Sequence, residues 1–238
     1  MNTEPVRFTR AYEDRNGILD FINDSPGEAY TAVSGGYDAL LTDANVATKL
    51  YNKAVWGISD MDYVPRVMDL LQKPLTGTLL DVPVGTAVFT RELYWSNPGL
   101  DIYSLDYSPG MIVKAKERLA ELENVTFIRG DAGNLPFEDG SFDTVLSMNG
   151  FHAFPDKTAA VSELARVLKP GGRLVSCFYI KDRRRFTDWW INHIYVPQGT
   201  FTPPFWSMEE AVAVFSGQFD KIKASACGSI FYFSAEKK

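Results

Sequence analysis

Three carboxylates, Asp81, Asp106 and Asp131, each fall at the end of a short apolar run. The first lies in Leu79-Leu80-Asp81-Val82-Pro83-Val84-Gly85-Thr86-Ala87, which reads as a buried strand, a tight turn and the opening of a helix. Such a turn lets backbone amides at a helix N-terminus meet a ligand at the carboxyl edge of a parallel sheet. Asp106 closes the run Asp101–Asp106, twenty-one residues after Gly85. A carboxylate there can accept both hydroxyls of a ribose whose other end lies over the first turn. Asp131 follows Val125–Arg129, and with the backbone amide of Ala132 it matches the donor and acceptor edge of an adenine. A fourth run ends in Met148-Asn149-Gly150-Phe151-His152, where a reacting group would sit. Plainer uses exist: Gly85 can simply permit a tight turn, and Asp106 and Asp131 can cap the helix or turn that follows.

The elements that must position these groups alternate in type. Strands are expected over Gly77–Val84, Asp101–Asp106, Val125–Arg129, Phe142–Met148 and Arg173–Ile180. Helices are expected over Thr86–Trp95, from Ser108-Pro109 (an N-cap with proline at the first helical position) to about Leu122, and over Lys157–Leu168. Strands alternating with helices imply parallel β-α-β units and a doubly wound sheet. Ahead of them, Tyr37–Trp56 carries an interrupted helical stripe, and Asp62–Leu71 a second one stopped by Pro74. Met1 to about Gly27 is polar and reads as a loose arm. After Ile180 the rhythm breaks into an aromatic, irregular segment. Ser207-Met208-Glu209-Glu210 then forms a capping box that starts a helix to about Ser216. Gly228-Ser229 separates two final strands, the spacing of a hairpin that closes the sheet edge.

The chain has 238 residues, 45% of them hydrophobic and 23% charged, as in an ordinary globular domain. Its net charge of -6 argues against nucleic acid, which demands a basic face. The local cluster Lys181, Arg183, Arg184, Arg185 reads as a solvated loop or an anion contact. Cys177 and Cys227 have no metal-ligand spacing and read as reduced thiols of a cytoplasmic protein. No metal is expected. No run approaches the about 18 apolar residues of a membrane span.

The pieces LLDVPVGTA, YSLDYSPGMIVKAKERL, FIRGDAGNLPFEDGSFDTVLSMNGFHAF and ELARVLKPGGRLVSCFY, in that order, resemble the class I S-adenosylmethionine-dependent methyltransferases. The likeness runs from Gly77 to about Tyr179 and is nearest to the small-molecule group that includes the quinone-biosynthesis C-methyltransferases. It implies a Rossmann-like α/β fold: a doubly wound, seven-stranded, mostly parallel sheet with an antiparallel C-terminal hairpin strand. Residues 74–238 would be the methyltransferase domain, with an aromatic insertion at 181–206, and residues 1–73 an arm and helices covering the site. The implied cofactor is S-adenosylmethionine. Asp81, Pro83, Val84, Gly85 and Thr86 would wrap its methionine moiety, Asp106 would bind the ribose, Tyr107 and Met111 would flank the adenine, and Asp131 with Ala132 would read its edge. Met148 and Asn149 would line the sulfonium end, and Tyr51 and Trp56 are candidates near the cofactor carboxylate. Tyr107 and Met111 serve equally well as plain core.

The family's first turn has three glycines; here those positions hold Pro83, Gly85 and Ala87. Pro83 is expected at negative φ with a trans peptide bond, leaving only Gly85 in need of conformational freedom. His152 reads either as a catalytic base or as a hydrogen-bonded structural histidine, and His193 as surface or lid. Trp189, Trp190, Tyr195, Phe205 and Trp206 are expected to enclose a hydrophobic or planar small-molecule acceptor, the plainer alternative being that the rings cover the sheet edge. The expected activity is methyl transfer by in-line displacement. A cofactor-binding but non-catalytic partner protein and a nicotinamide-dependent oxidoreductase are the alternatives. The acceptor, the methylated atom and oligomerisation are left open.

Overall fold

A computed structural model describes residues 6–22, 46–58, 63–71 and 73–238. Among these, one mixed sheet holds nine strands in the order β1-β2-β5-β4-β3-β6-β7-β9-β8. They are β1 Glu13–Asp14, β2 Ile18–Asp20, β3 Thr78–Asp81, β4 Asp101–Asp106, β5 Val125–Arg129, β6 Phe142–Met148, β7 Leu168–Tyr179, β8 Phe219–Cys227 and β9 Ile230–Lys237. Strands β2 through β7 pair in parallel, and β9 runs antiparallel between β7 and β8. The hairpin is the one that Gly228-Ser229 predicted.

The strand count exceeds the expected seven because the polar N-terminal segment is not a loose arm throughout. Ile18, Leu19 and Asp20 extend the sheet by pairing with Phe127, Ile128 and Arg129. Phe8, Tyr12 and Phe21 then stack beside Phe137. Residues 23–45, which contain the first part of the predicted helix over Tyr37–Trp56, lie outside the described residues.

Seven helices flank the sheet among the described residues: α1 Val46–Tyr51, α2 Tyr63–Met68, α3 Arg91–Trp95, α4 Pro109–Arg118, α5 Lys157–Val167, α6 Arg185–Trp190 and α7 Met208–Ser216. Helices α1 and α6 each continue into a wider turn, Asn52–Trp56 and Ile191–Tyr195. Successive strand residues face opposite sides. Leu79, Ile102, Leu146 and Val175 therefore meet α2, α3 and α4 through Val67, Tyr94 and Ile112. Leu80, Leu105, Val145 and Leu174 meet α5 and α7 through Val161, Leu164 and Phe215. The sheet is covered on both faces, as its parallel strands require.

Two local expectations hold in detail. Ser108 caps α4, accepting from the Met111 amide, with Pro109 at the first helical position. Ser207 and Glu210 close a reciprocal capping box on α7. One fails: the helix expected from Thr86 begins only at Arg91. Ala87 takes φ 58°, outside the right-handed helical region, so no helix passes through it. The aromatic segment expected to be irregular also contains α6, which starts at Arg185, while Lys181, Arg183 and Arg184 lie in the loop before it, as expected.

Candidate functional site

The first turn hangs between two neighbouring strands. The Val82 amide donates to Leu146 O at 2.9 Å and the Val84 amide to Leu105 O at 2.9 Å. Gly85 follows at φ 58° with open space where a Cβ would stand, so its glycine is needed for backbone conformation and not for room. Two expectations for this loop are corrected. The Val82–Pro83 peptide is cis, and Ala87 shares the left-handed conformation with Gly85. The Pro83 ring reaches the loop after β6: a Cβ on Gly150 would come within 2.4 Å of Pro83 Cδ.

Asp106 fastens this turn. Its Oδ2 accepts from the Gly85 amide at 2.8 Å and its Oδ1 from the Ser108 amide at 2.9 Å. Burial pushes its pKa up to about 6, against the opposing pull of the backbone amides of Ser108, Gly85 and Tyr107. Both oxygens keep lone pairs for hydroxyl donors, since an ionised carboxylate has about four acceptor sites. Asp81 is fully buried; burial raises its pKa to about 7, although the hydrogen bond from Tyr94 opposes this. The Tyr94 hydroxyl donates to Asp81 Oδ2 at 2.7 Å, while Asp81 Oδ1 has no partner. Tyr94 was not singled out in the sequence because its role depends on where α3 begins.

A single cavity of about 530 Å³ joins these groups, within the range of small-molecule sites. Its lining includes every cofactor candidate: Asp81, Pro83, Val84, Gly85, Thr86, Asp106, Tyr107, Met111, Asp131, Ala132, Met148, Asn149, Tyr51 and Trp56. Asp131 Oδ1 already accepts from the Gly133 amide at 2.8 Å, and Ala132 is buried beside it. The Tyr107 carbonyl is held by Arg129 Nε at 3.3 Å, and Arg129 pairs with Asp20 of β2 at 3.1 Å.

The other end of the cavity is aromatic. The hydroxyls of Tyr51 and Tyr195 touch, Asn149 Nδ2 donates to the Tyr63 hydroxyl at 2.9 Å, and the His152 ring stacks on Phe201 at 4.0 Å. Tyr63, Phe89, Thr200 and Phe201 also line it and were not among the candidates. Phe201 lay within the aromatic run, but composition does not tell which ring faces inward.

Of the five expected acceptor residues, only Tyr195 lines the cavity. Trp206 packs with Phe151, Phe178 and Phe215 in the core that covers the α5–α7 face of the sheet. Phe205 sits behind Phe201 against Tyr179. Trp190 meets the edge of Tyr51, and Trp189 faces outward. His193 is exposed, stacked on Trp189.

His152 lines the cavity and is half-buried. Burial, then the nearby positive charge of Lys157, push its pKa down to about 3. The Tyr179 amide points at its Nδ1 from 3.5 Å. Lys157 itself, lowered to about 8 by burial, donates to Phe154 O at 3.1 Å and Thr202 O at 2.5 Å. With Thr202 N donating to His152 O at 2.8 Å, it ties segment 199–202 to the loop after β6.

Residues 80–176 match the family described as Methyltransferase domain. This stretch is similar to methyltransferase domains and has the fold of the class I architecture, and the chain resembles the quinone C-methyltransferases. A demethylmenaquinone methyltransferase of Clavibacter sepedonicus is 32% identical over 160 residues, covering 66% of this chain and 60% of that protein. The chain spans less than two thirds of the curated relatives it matches, down to 38% for one from Beutenbergia cavernae. A solved S-adenosylmethionine-dependent methyltransferase from Thermotoga maritima covers 89% of this chain and 99% of its own, with TM-score 0.67 and 20% identity. A Haemonchus contortus phosphoethanolamine N-methyltransferase, solved with phosphomonomethylethanolamine and S-adenosylhomocysteine, gives TM-score 0.64 at 17% identity, covering 84% of this chain and 59% of that one. These two likenesses show the fold. No helix among the described residues is long and apolar enough to cross a membrane, and no cluster there could hold a metal ion.

Proposed function

We propose that the cavity binds S-adenosylmethionine along the carboxyl ends of β3, β4 and β5 and that the protein transfers its methyl group to an uncharged, planar small molecule. The observation that carries this reading is the joining, in one cavity, of a buried carboxylate end and a neutral aromatic end. The residues fit the cofactor. The unpartnered Asp81 Oδ1 offers a buried acceptor for a cationic amino group, and Asp106 retains lone pairs for ribose hydroxyls. When bound, S-adenosylmethionine supplies an electrophilic methyl on a sulfonium. Residues 74–238 are the catalytic unit in this reading, and the helices before them are its cover.

The acceptor end lies among Tyr51, Tyr63, Tyr195, Phe201 and His152. No carboxylate or cationic side chain lines that end among the described residues, which favours a neutral acceptor over a phosphate, ammonium or carboxylate. The demethylmenaquinone enzymes named above act on a quinone-type acceptor, consistent with this. With its pKa near 3, His152 is too weak a base to remove a proton from an ordinary hydroxyl. Its ring instead forms a wall with Phe201. Rate enhancement then rests on aligning the nucleophile behind the methyl carbon and excluding water, with an acceptor electron-rich enough to need no strong base. The free thiols of Cys177 and Cys227 fit the reducing cytoplasm.

The test is incubation of the purified chain with S-adenosylmethionine and a panel of neutral hydroxylated naphthalenes, reading S-adenosylhomocysteine and methylated product by mass spectrometry. Turnover on at least one planar member is expected. Tight S-adenosylhomocysteine binding with no turnover would support the non-catalytic partner instead. Binding of NADH in its place would support an oxidoreductase.

A further inference from the structure

The basic cluster around Arg183–Arg185 has no part in the cavity, yet it opens a helix with an unusual outer face. Phe186 is 47% exposed and Trp189 50%, and Leu50, on the adjoining α1, is 62% exposed. The rings form a connected platform: Phe186 stacks on Trp189 at 6.3 Å, Trp189 stacks on His193 at 4.7 Å, and Phe186 meets Trp190 at 5.8 Å. The two helices are fastened together underneath. Arg184 donates to the carbonyls of Lys53 and Ala54 at 3.2 Å, Thr187 Oγ1 donates to Val55 O, and Tyr51 meets Trp190 edge-on.

The charge around this platform runs against the rest of the molecule. Arg185 and Lys49 on these two helices, Arg183 just before α6 and Lys53 in the turn after α1 are exposed, in a chain whose net charge is -6. Within 181–200 the acids are Asp182 and Asp188, and the Asp188 carboxylate is taken up by the Tyr179 hydroxyl at 2.6 Å and the Asp182 amide at 3.1 Å. Exposed tryptophan and phenylalanine rings ringed by arginine and lysine suit the headgroup layer of an anionic bilayer. The amphipathic rings sit at the interface and the cations meet lipid phosphates.

We propose that the outer face of α6 and α1 docks this protein on anionic membrane surfaces, without spanning them. The inner side of α1 carries Tyr51 into the cavity, and the wider turn that continues α6 carries Tyr195 there. Docking therefore brings the acceptor end of the cavity to the bilayer. Delivery of an apolar acceptor by this route rests on the function proposed above; attachment of the face to lipid does not.

The full chain is sedimented with extruded vesicles of phosphatidylcholine alone and of phosphatidylcholine mixed with phosphatidylglycerol. Binding to the anionic vesicles is expected, weakened by added salt and weak or absent on the neutral ones. Basic residues near such a surface contribute about 1 kcal/mol each, so Arg183→Glu with Arg185→Glu lowers partitioning about 10-fold or more. Phe186→Ser with Trp189→Ser lowers it by a similar factor. Calorimetric affinity for S-adenosylhomocysteine, measured on each variant, reports whether the fold and cofactor site are intact. Wild-type protein that stays in the supernatant, or variants that sediment as the wild type does, overturns the proposal. So does a dimer in light scattering that both substitutions at the rings abolish while lipid is ignored, since the face then serves a second copy. Vesicle binding without any cofactor binding leaves the docking face standing and removes the enzymatic reading.

Discussion

The two ends of the cavity are built on different principles. The end under the first turn uses buried charge: Asp81 and Asp106 stand at the tips of adjacent parallel strands, with raised pKa values and partners that are mostly backbone amides or a buried tyrosine. The opposite end uses neutral rings and hydroxyls carried by helices and loops, namely Tyr51, Tyr63, Tyr195 and Phe201. Strand tips are fixed by the hydrogen-bond ladder, so a group placed there is oriented before any ligand arrives. The rings at the other end are held by helix-to-helix and loop contacts instead of a ladder. In the function proposed above, the division gives the charged partner to the sheet and the neutral one to the helices and loops.

The strongest test of this division is Asp106→Ala. Two charge-assisted bonds at about 1.5–3 kcal/mol each are lost, so affinity for S-adenosylhomocysteine falls about 100-fold or more. Calorimetry on a folded variant decides it, and unchanged affinity would erase the distinction between the two ends.

A second test uses pH. Asp81 and Asp106 titrate near 7 and near 6, so acidification removes negative charge facing a cationic ligand. Affinity for S-adenosylmethionine should fall roughly 10-fold from pH 8 to pH 5.5, and Asp81→Asn should flatten the profile. The sign for stability is opposite. A carboxyl whose folded pKa is raised favours folding most below its unfolded value, and this contribution is lost as pH rises through about 6 to 7. The melting temperature of the ligand-free protein should therefore fall less between pH 5.5 and 8 in Asp81→Asn than in wild type. His152 adds no inflection of its own in this window, because it stays unprotonated, and Lys157, lowered to about 8, titrates only at its upper edge.

Substitution at the aromatic end should give the converse pattern. Tyr195→Phe or Tyr51→Phe removes one partner of a neutral hydroxyl pair worth about 1 kcal/mol, raising the acceptor KM about 3- to 10-fold while leaving the cofactor Kd unchanged. Steady-state kinetics against calorimetry separates the two. The smallest effect is expected at Ala87→Gly. Relief of a left-handed alanine is worth about 1–2 kcal/mol, partly offset by the flexibility glycine adds to the unfolded chain, for a net gain of up to about 1 kcal/mol in urea unfolding.

The same division explains what could be read from the sequence. The parallel core and the residues gathered around one cavity were legible because short apolar runs ending in aspartate mark strand tips, and strand tips fix position. The start of α3 was not, because the left-handed turn at Ala87 is a backbone conformation that its side chain does not announce. Strands β1 and β2 are two and three residues long, too short to show alternation, and join the sheet only through the free edge of β5. In the aromatic segment the ring content was visible but its facing was not. Tyr195 turns inward, Trp189 outward, and Trp206 into the core on the α5–α7 face of the sheet.

The contact between Pro83 and Gly150 carries a consequence of its own. With no room for even a methyl group between them, the first turn and the loop after β6 abut through a proline ring and bare backbone. The spacing of these two loops is thus gauged by a proline ring and bare backbone. Descendants of this sequence could exchange the rings of the helical wall, and so the molecule they accept, without resetting that gauge. A bulkier residue at position 150 would push these two loops apart.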